Sequence, residues 1–164
     1  MAQRLAFVDA SPLIGLASVG GLRWLRKLYG RAVITQTVRS ETLPGLDRPG
    51  EIEIAAAIRA RHLAVLAKEV SGPPFSALGD GEASTLRAAL AHGAQALAIF
   101  DDRSARRAAR HAGTACIGTA GVIVHAKRAQ LIVAARPAFE RLLERGFWIS
   151  NALVTAALEE LGEA

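Results

Sequence analysis

The sequence predicts an α/β domain: a three-layer sandwich built on a central, mostly parallel sheet, with a helical C-terminal extension. Three observations carry this expectation. Short apolar runs alternate with helical patterns through the first 130 or so residues, which implies βαβ units joined by right-handed crossovers. The run Ala96-Leu97-Ala98-Ile99-Phe100 is continuously apolar, as expected of a strand covered on both faces. The chain of 164 residues is 51% hydrophobic, with a mean hydropathy of +0.25. It therefore has apolar surface enough for one ordinary core and is not a disordered chain. A single domain over 1–164 is expected, in which about 131–164 carries only helical patterns.

The elements follow in order. Leu5-Ala6-Phe7-Val8 reads as the first strand, ended by Asp9-Ala10-Ser11-Pro12. Ser-Pro is a helix-start signal, with Ser11 as cap and Pro12 at the first helical position, so helices are expected over Pro12–Ser18 and Leu22–Tyr29. Ala32–Thr35 is the second strand and Thr37–Leu43 a short helix. Leu43–Gly50, with two Pro and two Gly, is the clearest loop. A helix over Glu51–Arg61 and a strand over Leu63–Leu66 follow, then a break at Ser71–Pro74. Gly81–His92 is helical, with Ala83, Leu86 and Leu90 on one face. After the strand Ala96–Phe100 come a helix at Arg103–His111, a short strand at Ala115–Ile117 and a helix at Thr119–Gln130. Two helices close the chain, Pro137–Arg145 and Asn151–Leu161, the second capped by Ser150.

Charge is distributed unevenly. The net charge is +5 and the 20 basic residues include 17 Arg, which suits a polyanionic partner because the guanidinium fork binds phosphate bidentately. Arg103 to Phe139 contains no Asp or Glu. Within it Arg103, Arg106 and Arg110 fall at i, i+3 and i+7, so they can line one helix face and hold a phosphate backbone without sequence specificity; a solvated basic face or a surface for an acidic protein is the other reading. Arg23, Arg26, Lys27 and Arg31 form a second, less defined patch. No run of 18 apolar residues occurs, and Asp9 interrupts the apolar stretch after Arg4 that would otherwise suggest a signal segment. The single Cys116 permits no internal disulfide. A cytoplasmic protein without membrane contact is the expectation.

The informative residues are acids at strand exits. Asp9 follows the first strand, and Asp101-Asp102 follows Ala96–Phe100. In a parallel sheet all strand C-terminal ends share one edge, so these acids can converge there. Glu41, in the short helix after the second strand, and Glu82, in the segment Gly79-Asp80-Gly81-Glu82, can join them. Gathered carboxylates destabilise one another unless a positive charge sits among them, and Mg²⁺ or Mn²⁺, hard ions with oxygen ligands, would be the simplest compensation. Each acid also has a plain structural reading. Asp102 and Asp80 can cap helices, Glu82 can favour a helix N-terminus, and Glu41 can be a solvated helix residue. Asp9 has none of these, because Ser11 already supplies the cap. His62, His92, His111 and His125 lack metal-ligand spacing, and Cys116 sits in an apolar strand as an inert core residue. Trp24 and Trp148 can each stack a base, although a Trp among helical Leu residues is more often core.

Phe7-Val8-Asp9-Ala10-Ser11-Pro12-Leu13 resembles the opening of PIN domains, an apolar strand followed by Asp-x-Ser/Asn and a Leu-bearing helix. Leu78-Gly79-Asp80-Gly81-Glu82-Ala83-Ser84 is similar to their Gly-x-Gly-Glu-Ala segment, and Ile99-Phe100-Asp101-Asp102-Arg103-Ser104-Ala105-Arg106 to their second Asp-bearing strand end. With Ile117-Gly118-Thr119-Ala120-Gly121 and Gly146-Phe147-Trp148-Ile149-Ser150, the sequence looks most like a branch close to the toxin-type (VapC-like) ribonucleases of toxin–antitoxin pairs. The resemblance implies a PIN-like fold and metal-binding acids at Asp9, Glu41, Glu82 and Asp101. Asp102 would be an additional or substitute ligand, and Ser11 the hydroxyl that supports the first Asp. Glu41 matches only a loose apolar-x-x-Glu pattern, Thr37-Val38-Arg39-Ser40-Glu41. The resemblance further implies Mg²⁺- or Mn²⁺-dependent cleavage of single-stranded RNA, with Arg103, Arg106 and Arg110 on the RNA, a homodimer and an antitoxin protein that blocks the site.

Three rivals are weighed against this reading. A catalytically silent module binding RNA or protein would keep the Arg strip without needing the acids. A phosphatase with an Asp nucleophile would want a second acid two positions on, where Ser11 stands. A dinucleotide site would need Gly-x-Gly-x-x-Gly after the first strand, which is absent.

Overall fold

The structure, a computed structural model, describes residues 4–164. Five strands form one all-parallel sheet in the order β3-β2-β1-β4-β5: β1 is Leu5–Val8, β2 Arg31–Ile34, β3 Ala64–Val65, β4 Ala96–Ile99 and β5 Ala115–Ile117. The helices are α1 (Ala10–Ser18), α2 (Leu22–Tyr29), α3 (Gln36–Thr42), α4 (Glu51–Arg59), α5 (Asp80–Ala91), α6 (Arg103–His111), α7 (Thr119–Arg128), α8 (Arg136–Glu144) and α9 (Asn151–Glu160). Every expected strand and helix is present, with ends shifted by one or two residues, as fraying termini allow.

Strand alternation divides the core. Ala6 and Val8 of β1, Ile34 of β2, and Leu97 and Ile99 of β4 pack on one face against Leu13 and Leu16 of α1, Leu25 of α2, Ile123 of α7 and Phe139 of α8. Phe7, Val33, Ala98 and Phe100 point the other way, onto Leu86 and Ala89 of α5 and Ala105 and Ala109 of α6. Both faces are buried, which is why these strands are apolar at consecutive positions rather than at alternate ones. Ala135, Phe139, Leu142, Ala157 and Leu158, from the region of α8 and α9, join the first of these clusters. The Ala-rich composition serves this packing: Ala105 and Ala109, one turn apart and both fully buried, let α6 lie close to the sheet.

Two local expectations are corrected. α1 starts at Ala10, with Asp9 in extended geometry (φ −79°, ψ 167°) at the capping position. Ser11 is therefore inside the first turn with its hydroxyl exposed, not the cap, and Pro12 stands at the third helical position, where no intrahelical N–H is needed. The strand passes into the helix through one residue, which leaves no room for a Ser-Pro start. Likewise α5 begins at Asp80 with Gly79 as N-cap, so Asp80 does not cap it. Ser150 does cap α9, accepting from the Leu153 N–H at 3.2 Å. Trp24 is buried and Trp148 89% exposed. Cys116 is half-buried rather than core, because β5 is an edge strand.

Phe100 anchors the end of β4 with no exposed surface. Phe100→Ala should destabilise the fold by about 3–5 kcal/mol, read as a lower denaturant midpoint at an unchanged slope.

Candidate active site

The site lies where the strand order reverses. The chain runs outward from β1 through β2 to β3, then returns to place β4 on the other side of β1. The β1–β4 pairing sets Val8 opposite Ile99, and the Asp9 N–H donates to the Ile99 carbonyl at 3.2 Å. Asp9 and Asp101 thus leave adjacent strands at the C-terminal edge, at the switch point where open parallel sheets bind ligands.

Asp9 is only 5% exposed, and its side chain makes no capping bond to α1. Burial pushes its pKa up from 3.8 to about 7; the Ala10 N–H counters this, while the charges of Glu82, Glu41 and Asp101 add to it. Asp101 is held differently. Its Oδ1 accepts the Thr119 N–H at 2.8 Å and its Oδ2 the Thr119 hydroxyl at 2.7 Å, and Ser11 Oγ donates a longer bond to Oδ2 at 3.4 Å. Thr119 is the first residue of α7, so its N–H is one of the donors a helix start leaves unused. Gly118 permits the approach: a Cβ there would lie 3.0 Å from Asp101 Oδ1 and 3.3 Å from the Phe100 carbonyl.

Glu82 accepts the Gly79 N–H at 3.0 Å, half of a capping box whose other half glycine cannot supply. Glu41 reaches from α3 to the start of α5. The Gly81 N–H stabilises its charge, while burial, the largest effect, and then Asp80 and Glu82 raise its pKa. A Cβ on Gly81 would fall within 2.3 Å of Glu41 Oε2, so the second Gly of Gly-Asp-Gly-Glu makes space for this carboxylate. α3 and α5 are tied by a buried hydroxyl pair, Thr35 Oγ1 and Ser84 Oγ at 2.6 Å; Thr35 also caps α3 and Ser84 also donates to the Gly81 carbonyl.

The structure thus places Glu41, Glu82 and Asp101 within electrostatic reach of Asp9, with Ser11 beside Asp101. Asp102, expected as an additional or substitute ligand, is exposed and caps α6, its Oδ1 accepting the Ala105 N–H at 2.9 Å. Arg106 departs from its expected role. Its Nη1 donates to the carbonyls of Phe100 at 3.2 Å and Asp101 at 2.6 Å, in the β4–α6 turn. It is half-buried, whereas Arg103, Arg107 and Arg110 are exposed. Thr119, Gly118, Thr35 and Ser84 were given no role by sequence reasoning. The only sequence signal for the first two is the run Ile117–Gly121, where a helix start directly follows a strand.

Among the described residues the ion pairs are Lys127–Glu163 and Arg128–Glu160, remote from these acids. The cluster carries negative charge with no paired cation. Among the described residues no three His, Cys, Asp or Glu side chains stand close enough, as placed, to hold one ion. The donors are all oxygens, carboxylates and hydroxyls without His or Cys, a set suited to Mg²⁺ or Mn²⁺ and unsuited to zinc.

A family profile described as DUF3368, a PIN domain, matches residues 5–163. The chain belongs to the PIN-domain family. PIN domains are generally nucleases and typically use divalent metal ions. Among solved structures, this PIN domain is similar to a PilT N-terminus domain protein from the hyperthermophilic archaeon Sulfolobus solfataricus P2. The TM-score is 0.54 and the identity 22%, over 72% of this chain and 89% of that one, a likeness of fold. Comparison with curated proteins finds no match. No helix among the described residues is long and apolar enough to cross a membrane.

Two outcomes follow. Asp9 has a folded-state pKa above its unfolded value, so its contribution to stability is complete below about pH 4 and is lost as pH rises through about 7. Without divalent ions, stability should fall between pH 5 and 7 by about 1.4 kcal/mol per pH unit at most and level off above. Glu41 shifts the same way. Asp9→Asn should flatten the slope and raise Tm at pH 8, measured by thermal melts in chelator. Thr119→Val removes the hydroxyl from Asp101 while keeping the N–H, and should cost about 10–100-fold in any metal affinity or activity of the site with little change in Tm.

Proposed function

We propose that this PIN domain is a Mg²⁺- or Mn²⁺-dependent endoribonuclease, a toxin or toxin-like member of a toxin–antitoxin pair acting on single-stranded RNA. The observation that carries the reading is Asp9: a carboxylate buried at the switch point near Glu41, Glu82 and Asp101, with no cation among the described residues paired to it. Isolated burial of charge costs several kcal/mol, and a hard divalent ion would offset it. Asp9, Glu82 and Asp101 would hold such an ion, with Glu41 completing the acidic ring and Ser11 and Thr119 orienting Asp101. When bound, the ion supplies Lewis acidity toward water and phosphate.

The chain's own residues do the rest. Thr119 and Ser11 occupy the lone pairs of Asp101 and fix its orientation. The Gly79 N–H donates to Glu82 and the Gly81 N–H to Glu41, which orients both carboxylates at the start of α5. Arg103 and Arg110, exposed at the start and in the last turn of α6, hold RNA phosphates, while Arg106 stiffens the turn that presents Asp101. One domain over 1–164, a homodimer, a cognate antitoxin and a cytoplasmic setting complete the proposal. The silent-module alternative draws on one observation, that no three of the acids share an ion's coordination sphere as placed.

Purified protein should cleave unstructured RNA with Mg²⁺ or Mn²⁺ and not with chelator, and Asp9→Asn and Asp101→Asn should reduce cleavage to background with the fold retained by circular dichroism. Wild-type activity equal to that of both variants would establish the silent module instead. Arg110→Ala should weaken RNA binding and lower the slope of log affinity against log salt by about one, whereas Arg106→Ala should act mainly on turnover.

A further inference from the structure

A second concave site lies at the opposite edge of the sheet. Arg31 opens β2, and Arg61 and His62 lie just before β3. With Arg26 of α2 they rim a cleft of about 650 Å³ whose walls include Ile58 and Leu63. No Asp or Glu lines it among the described residues. The four-residue strands put this edge roughly 13 Å from the carboxylate edge, so the cleft is separate from the candidate active site.

Two features show more than a solvated basic face. Helices α2 and α4 both end here, at Gly30 and Ala60, and each C-terminus carries about half a negative charge. Three guanidiniums exceed that total of about one charge, so the cleft remains net positive. Arg61 also adopts φ +58°, a left-handed conformation that glycine accepts readily and other residues resist. Its carbonyl accepts a bond from Arg26 Nη1 at 3.2 Å, which ties the strained residue to the neighbouring helix. A helix C-terminus of this kind normally takes Gly. An Arg there gives up stability to place a guanidinium, the pattern expected of a ligand clamp.

We propose that this cleft binds a phosphorylated small molecule of the nucleotide class, its phosphates on Arg31 and Arg61 and its base against Ile58 and Val65. The volume falls in the range of small-ligand sites, and the mix of apolar wall and basic rim matches a base joined to a polyphosphate. The proposal stands independently of nuclease activity, because binding is read directly.

The test is titration of the intact protein with ADP and with pyrophosphate by calorimetry, alongside a single-stranded RNA. ADP should bind saturably, pyrophosphate more weakly, and Arg31→Glu should weaken both by about 10–100-fold. Arg61→Gly is the sharper variant. It should raise Tm by about 2–4 °C through relief of the left-handed backbone and still lose ADP binding, so the loss would owe nothing to unfolding. The proposal is overturned by no saturable binding of ADP to the wild type, or by affinity unchanged in both variants. RNA affinity that falls in both variants without any nucleotide binding would also overturn it and assign the rim to the RNA backbone.

Discussion

The parallel pairing of β1 with β4 is the constraint on which the rest of this protein depends. Its register, Val8 opposite Ile99, forces two strands to end together and their following residues to emerge side by side at the one place where sheet order reverses. Both following segments are acidic. A shift of one residue would turn Phe7 and Ala98 toward the wrong layer, so the packing that fills the two cores also sets the spacing of the carboxylates. The fold and the site are specified by the same hydrogen bonds.

That arrangement opposes stability to function. Asp9 is buried with only the Ala10 N–H to offset its charge, while Asp101 receives two hydrogen bonds from Thr119 and a longer one from Ser11. The supporting polar groups are small: hydroxyls, glycine N–H groups and helix starts. Small groups suit a crowded strand edge, where Gly81 and Gly118 keep open the space that a single methyl would close. Thr35 and Ser84 continue the same logic one layer deeper, locking α3 to α5 so that Glu41 and Glu82 share a frame.

The positive charge divides by depth as well as by position. Arg106, read along the sequence, belongs to the same helix face as Arg103 and Arg110. In the fold it spends its guanidinium on two backbone carbonyls at the turn before α6, which converts a surface contact into a brace for Asp101. Arg26 behaves similarly, one nitrogen reaching the Arg61 carbonyl. Arginines near helix ends serve the backbone first, and only those left exposed remain for a partner.

The sequence alone determined the α/β class and the order of the five strands and nine α-helices among the described residues, because apolar periodicity is a local property of the chain; it also named Asp9, Glu41, Glu82 and Asp101 as the candidate acids. Its errors were at junctions. Ser11 read as a cap because Ser-Pro is a strong local signal, yet the one-residue passage from β1 to α1 left Asp9 at that position instead. Tertiary structure alone decided that Thr119 holds Asp101, that Asp102 is occupied with capping α6, that Arg106 turns inward and that Arg31 and Arg61 meet across a cleft. Thr119 and Asp101 lie far apart in the chain, as do Arg31 and Arg61, while the Asp102 and Arg106 contacts join a side chain to backbone groups of the turn before α6 or of its first turn. A chain read residue by residue shows which groups are available; only the packed sheet decides which of them meet.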